Sequence, residues 1–319
     1  MPRYLRNSAI LAKIETAYGL DAAPSGAANA ILVSNLTINP LNAQNVDRAL
    51  IRGFMGGAEQ LVGNSFVDIS FDVELAGSGV AGTAPAYGAL LRAAGMAEVV
   101  SVGSRVEYMP ISAGFESATI YYYDDGVLHK LLGVRGTFSL DMTQGNRPMM
   151  KYKFTGLDGG LGTAVTPALT LTGFKAPLVI TDPNTADVLL GCTYAAGALS
   201  AGTAYPSQGL TLDLGNTVHY TPLLGGQSVD ITDRVTVGTI STELTAAQEV
   251  AMMASVKNNT LQSIGLVHGT AAGAKVMVFA PAVQMINPKK GNLNGRRLND
   301  YDLRFTPMSG NDELRIVVL

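Results

Sequence analysis

Ile69-Ser-Phe-Asp-Val-Glu-Leu75 alternates apolar and polar side chains, the period of a strand with one buried and one wet face. Signals for a capped apolar helix come next. Thr83 is placed to cap it, Pro85 to sit in its first turn, Leu90 and Leu91 to form its apolar face, and Gly95 to end it. The same succession returns later in the chain. Val235-Thr-Val-Gly-Thr-Ile-Ser-Thr-Glu-Leu244 alternates in the same way, and Thr245-Ala-Ala-Gln248 reads as a capping box for a helix carrying Val250, Met252, Met253 and Val256. One β-rich unit is thus stated twice, over about residues 31–156 and 210–310, and such duplication has to be weighed before any motif.

Hairpins follow each helix. In the first unit a strand from Ser117 to Tyr123 meets Asp124-Asp125-Gly126, a tight-turn signal, and returns from Leu128 to Leu140. Gly136 to Met142, a turn around Gln144-Gly145-Asn146, and Met150 to Gly156 make the next. The counterpart in the second unit runs from Lys275 to Ile286, turns at a segment carrying Lys289, Lys290, Gly291, Arg296 and Arg297, and returns from Leu298 to Pro307. The likeness lies in the order of elements more than in residue identity. It predicts a mainly β chain of two tandem domains, 1–165 and 166–319, each with one flanking helix.

Composition points to buried surface shared with other chains. Of 319 residues only 15% are charged and mean hydropathy is +0.22, against about 25% charged in an average domain. No stretch reaches the roughly 18–20 apolar residues of a membrane helix, and Ala9 to Ala12 is too short for a signal-peptide core. A pilus-like or adhesin subunit, the alternative β-rich polymer, would normally carry an export signal. The single Cys192 excludes an internal disulfide and reads as a partly buried thiol.

Two irregular stretches stand out. Residues 157–208 are rich in Gly, Ala, Thr and Pro, with strand-like pieces at Leu169 to Phe174 and Leu178 to Thr181. Residues 39–64 carry Arg48, Ile51, Arg52, Phe54, Met55 and Leu61, and a long loop inside a compact β unit suits a contact between subunits. Its apolar residues would supply adhesion at about 25 cal/mol per Å² buried. Arg48 and Arg52, set against carboxylates of a neighbour, would add register more than strength.

Catalytic constellations are poor. His129, His219 and His268 lack the close spacing of zinc ligands, so no metal or catalytic site is assigned. Gly77-Ser-Gly79-Val-Ala-Gly82 has the glycine spacing of a dinucleotide loop. Yet the strand before it alternates through Asp68, Ser70, Asp72 and Glu74, where a parallel strand buried on both faces would be apolar throughout, and antiparallel hairpins follow it. A flexible connection is the simpler reading, and no cofactor is expected. Asp124-Asp125 is a turn, and Tyr121-Tyr122-Tyr123 a β-forming run.

Several segments resemble the major tail tube protein of long-tailed, siphovirus-type bacteriophages. They are Ile10 to Gly19, Val67 to Gly79, Pro85 to Gly95, Gly114 to Gly126 and His129 to Gly136; Asn311 to Leu319 resembles the terminal strand of such domains. The resemblance implies that each of the two domains is a tail-tube-like β-sandwich or barrel domain flanked by a helix, and it implies no catalysis. It implies stacked rings forming a β-lined channel for DNA entering the host, a virion tail location after assembly in the host cytoplasm, and contacts with tape measure, tail terminator and distal tail proteins. If both halves adopt the fold, three chains close a pseudo-sixfold ring; if only one does, six are needed, and three is the favoured number. Genomic DNA must pass without sticking, which suits 22 basic against 25 acidic residues. Lys289, Lys290, Arg296 and Arg297 are expected on a solvated loop or an inter-ring contact.

Overall fold

The computed structural model describes residues 2–319. Strand takes 54% of the chain and helix 8%, so the fold is mainly β. Most strands join one open antiparallel sheet, and two small hairpins stand apart from it.

In the first half the antiparallel order is Ser34–Asp47, Gln60–Glu74, Met149–Thr163, Val127–Thr143, Ala118–Asp124, Ser8–Ile14. In the second it is Ser207–Asp213, Val237–Thr242, Arg296–Phe305, Val276–Leu293, Leu261–His268, Val188–Leu190. The two orders match strand for strand. In each, a helix leads from the second strand of the order towards the fifth, Gly88–Ala93 in one and Ala246–Lys257 in the other.

Residues coincide as well as elements. Asn35-Leu-Thr-Ile-Asn-Pro-Leu-Asn42 lies on Gly209-Leu-Thr-Leu-Asp-Leu-Gly-Asn216 without a gap. Asn35 and Gly209, at the same place, both take a positive φ, 52° and 97°. Arg147 and Tyr152 likewise fall on Arg296 and Tyr301, and both tyrosines are buried.

The halves share the sheet at two seams. Gly209 to Asp213 adds as a fresh strand beside Ser139 to Thr143, the far end of the long Val127–Thr143 strand. The Arg105–Pro110 strand, which belongs to a hairpin inserted after the first helix, pairs with the last strand, Arg315–Val318. Apolar faces meet across the first seam, so Phe71, Phe138, Leu140 and Tyr152 belong to the same buried cluster as Leu210, Leu212, Ile240 and Tyr301.

Local signals were mostly realised. The Thr245 and Gln248 capping box is formed, and Asp125-Gly126 makes the tight turn with φ of 41° and 94°. Elsewhere the structure differs. The first helix begins at Gly88 after Tyr87, because Thr83 and Pro85 are held in preceding turns (Thr83 N to Val80 O, Gly88 N to Pro85 O). The second-half turn is Asn294-Gly295, with φ of 48° and 87°; Lys289, Lys290, Arg296 and Arg297 therefore sit on paired strands beside it. Residues 169–174 and 178–181 form no strand. Ile180 exchanges two backbone bonds with Gly145 and Asn146 at a hairpin tip, a single anchor instead of a ladder. The glycine-spaced segment 77–82 is explained by packing: a Cβ on Gly77 would lie 2.0 Å from the Gly273 carbonyl oxygen.

Candidate assembly interface

Residues 34–39 pair with 68–72 inside the sheet, and the two strands then leave it together as a ribbon from Asn42 opposite Phe66 to Asp47 opposite Gln60. The stretch 39–64 is therefore largely an arm of paired strands, not an irregular loop, and only residues 48–59 at its tip lack strand structure. The ribbon has no face buried against the sheet, so it lacks the alternation that would betray it in the sequence. Arg48 and Arg52 both pair with Glu59 within the tip, Arg52 Nη2 at 3.0 Å. Ile51 and Met55 are fully exposed, and Phe54 and Leu61 stand largely in solvent with Val46 and Val62.

The second half throws out a ribbon at the same place. Asn216–Leu223 and Gly226–Arg234 prolong the pair formed by Ser207–Asp213 and Val237–Thr242. This ribbon lies down on the first half. Tyr220 stacks on Phe66 with ring centroids 4.9 Å apart. Asn216 Nδ2 donates to the carbonyls of Ala94, at the end of the first helix, and Gly136, at 2.7 and 2.9 Å. Arg135 Nη1 donates to Val229 O at 2.9 Å and Asp230 Oδ1 at 3.1 Å. Val229 and Ile231 are buried there.

Two open strand margins bear on assembly. Among the described residues no strand pairs with the outer edge of 34–39, or with 289–293 on the side away from Arg296–Phe305. The basic residues near the second margin are engaged within the chain. Lys290 pairs with Glu249, Lys289 stands 4.0 Å from Asp302, Arg296 holds Glu243, and Arg297 reaches Gly291 O at 3.4 Å. They lie close together, but the structure does not bring them near Arg48, Arg52 or the rest of the arm tip.

Between these margins runs one continuous polar face. Cross-strand partners place Asp68, Asp72, Lys151, Lys153 and Asp141 on the same side as Thr211, Asp213, Asp300, Asp302 and Arg304. Burial works to raise the Asp141 carboxyl, but hydrogen bonds from Thr143 and the nearby Lys151 hold it below the usual range. The sequence reading missed this face, the open margins and the second ribbon. The ungapped match of 35–42 on 209–216 was the signal that could have found them.

A sheet with open, mutually repeating margins and an arm with no partner defines an assembly subunit. The family model described as phage tail tube protein matches residues 6–307. The chain belongs to the phage tail tube protein family, and as such it is a structural component of the virion tail. No curated protein matches it. No helix among the described residues is long and apolar enough to cross a membrane.

Proposed function

We propose that residues 1–165 and 166–319 are two repeats of the tube fold, that three chains close into a ring of six repeats, and that stacked rings form the channel through which DNA leaves the virion. The seam inside the chain carries this reading. Gly209 to Asp213 adds to Ser139 to Thr143, while residues 35–39 and 289–293, which occupy the corresponding places in the other copies, have open backbone edges. Joining those edges between chains gives a head-to-tail contact that repeats the internal one. Closing it into a ring leaves neither of these two margins exposed.

Each half places four strands in that wall, its second-order pair plus the two long strands of the hairpin. Six halves give about twenty-four strands, and at ~4.8 Å spacing and ~40° tilt the backbones stand about 45–50 Å apart across the lumen. The polar face then turns inward, since the opposite face is the apolar core. Its carboxylates at Asp68, Asp72, Asp141, Asp213, Asp300 and Asp302 outnumber the bases Lys151, Lys153, Lys289 and Arg304. Such a wall repels phosphates and lets the duplex slide. The arm and its tip, Arg48, Ile51, Arg52, Phe54, Met55 and Leu61, serve as contacts between subunits, and the ends of the tube meet other tail proteins.

Native mass spectrometry with electron microscopy of the purified protein tests the reading. Rings of three 33.3 kDa chains, stacking into tubes of uniform bore, are expected. Six-chain rings would overturn the tandem closure, and a permanently discrete monomer would overturn the tube.

A further inference from the structure

We infer that the stem of the arm, residues 40–47 and 60–66, lies flat on the second half of the neighbouring chain in the same ring, using the contacts that the 216–234 ribbon makes inside one chain. The inference rests on the tube reading and names the surface that the arm meets. The two ribbons leave the sheet at the same point, because Asn39 opposite Asp68 corresponds to Asp213 opposite Val237. The second-half ribbon has a first half beside it in the chain and is buried on it. Among the described residues no half lies against the first-half arm, and its apolar counterpart positions, Val46 and Leu61, are exposed.

The correspondence can be followed along the register. Val229, opposite Tyr220, is fully buried, whereas Leu61, opposite Val46 at the matching position, is 53% exposed. Tyr220 finds Phe66; the matching pair is Val46 on the arm and Val235 at the receiving site, both apolar and both exposed. Asn216 donates to the carbonyl that ends the first helix and to Gly136 O. Asn42 stands in its place, its Nδ2 donating to Asp68 Oδ2 at 2.6 Å within the chain; on the neighbour it would exchange that bond for the carbonyls around Asn258, at the end of Ala246–Lys257, and of Met285. Ile231 packs over Gly95, whose φ is 79°; the residue at that place after the second helix is Asn259, with φ 53°.

The occupant is therefore a second copy of this chain, delivered by the same strand pairing that closes the ring. Residues 35–39 of one chain and 289–293 of the next fix the register, and the arm follows from it. Only the tip, which is longer than the tip of the second ribbon, reaches beyond this seat.

The test is a V46C/V235C double variant treated with a short bis-maleimide after assembly, Cys192 being buried. Covalent products that stop at one ring's complement of chains are expected, with none from either single variant. A ladder extending past one ring would place the stem between rings and overturn the inference, as would intact tubes that do not cross-link. Should the double variant fail to assemble, hydrogen exchange on the native protein decides. Protection gained on tube formation by 42–47 and 60–66 must be matched at 257–260 and 284–286; protection of the arm without that partner surface refutes the seat while leaving the tube standing. Absence of any tube in the native protein refutes the tube itself.

Discussion

Arg296 grips the carboxylate of Glu243 with Nε at 3.0 Å and Nη2 at 2.7 Å, and at the matching place in the first half Arg147 Nη1 meets Glu74 Oε1 at 2.7 Å. Each arginine lies at or just before the returning strand of its hairpin, and each glutamate lies at or just past the end of the strand that pairs with it. The pairs therefore mark the same register in both halves. Both arginines are largely exposed, so the energy involved is small. R147A and R296A should each cost about 0–1 kcal/mol in urea unfolding. A loss well above that range would mean the pairs hold more than register.

Gly209 behaves differently from its counterpart Asn35. A Cβ on Gly209 would lie 2.0 Å from the Met142 carbonyl oxygen, and its φ is 97°. Backbone cannot retreat as a side-chain tip can, so G209A should cost at least about 2–4 kcal/mol and loosen the internal seam. N35G should leave the monomer within about 0.5 kcal/mol. Urea midpoints and limited proteolysis between residues 205 and 215 would check both, and an undisturbed seam in G209A would contradict the geometry.

The strands that alternate were legible in the sequence, because Val67, Ile69, Phe71 and Val73 must face a core while Asp68, Ser70 and Asp72 face water. The helix at Ala246–Lys257 was legible through its capping box. The arm was legible only as an exposed, apolar interruption, since a ribbon that buries neither face has no period to show. The open margins could not be read at all from local signals. They are relations between strands far apart in sequence, visible only when 35–42 is laid on 209–216 and each is followed to its neighbour.

Arg135 ties three segments together. Its guanidinium, 13% exposed, donates to Phe115 O at 2.9 Å and to Val229 O and Asp230 of the second-half ribbon. Truncation would leave several carbonyls without a donor, so R135A should cost about 2–4 kcal/mol. R135K should recover little, because a single ammonium cannot reproduce the planar fork. Amide exchange in Gly226–Arg234 should accelerate in both; unchanged exchange would show that apolar contacts alone hold the ribbon down.

His268 is buried, with Nε2 3.1 Å from Leu178 O and Nδ1 2.8 Å from Thr185 Oγ1. A carbonyl can only accept, so Nε2 carries the proton and Nδ1 takes the threonine hydroxyl. Burial pushes the ring's pKa below its ordinary value, although the Leu178 carbonyl acts the other way, and burial does the same to His129. The unfolded chain then binds a proton before the folded one does. Stability is fully present above about pH 6.5 and falls as pH drops towards the depressed folded values, by up to about 1.4 kcal/mol per unit for each ring. Urea midpoints from pH 8 to 5 should fall accordingly, and H268Q should flatten the curve to the share of His129. An unchanged slope in H268Q would remove the imidazole from the pH response.

The tip of the arm separates folding from assembly. Ile51 is 104% and Phe54 71% exposed, so neither contributes a buried contact to the monomer, and I51D/F54D should alter its unfolding free energy by no more than about 0.5 kcal/mol. In a tube the same positions would lose water against a neighbour, where a buried unpaired carboxylate is strongly unfavourable. Tube growth should therefore stop while circular dichroism and the urea midpoint stay native. On the proposed seating, with the stem within the ring and the tip past it, single rings should survive in the variant, visible as three-chain species that do not stack. Tubes of normal length would remove the tip from the stacking contact, and loss of the rings as well would show that tip and stem act as one surface.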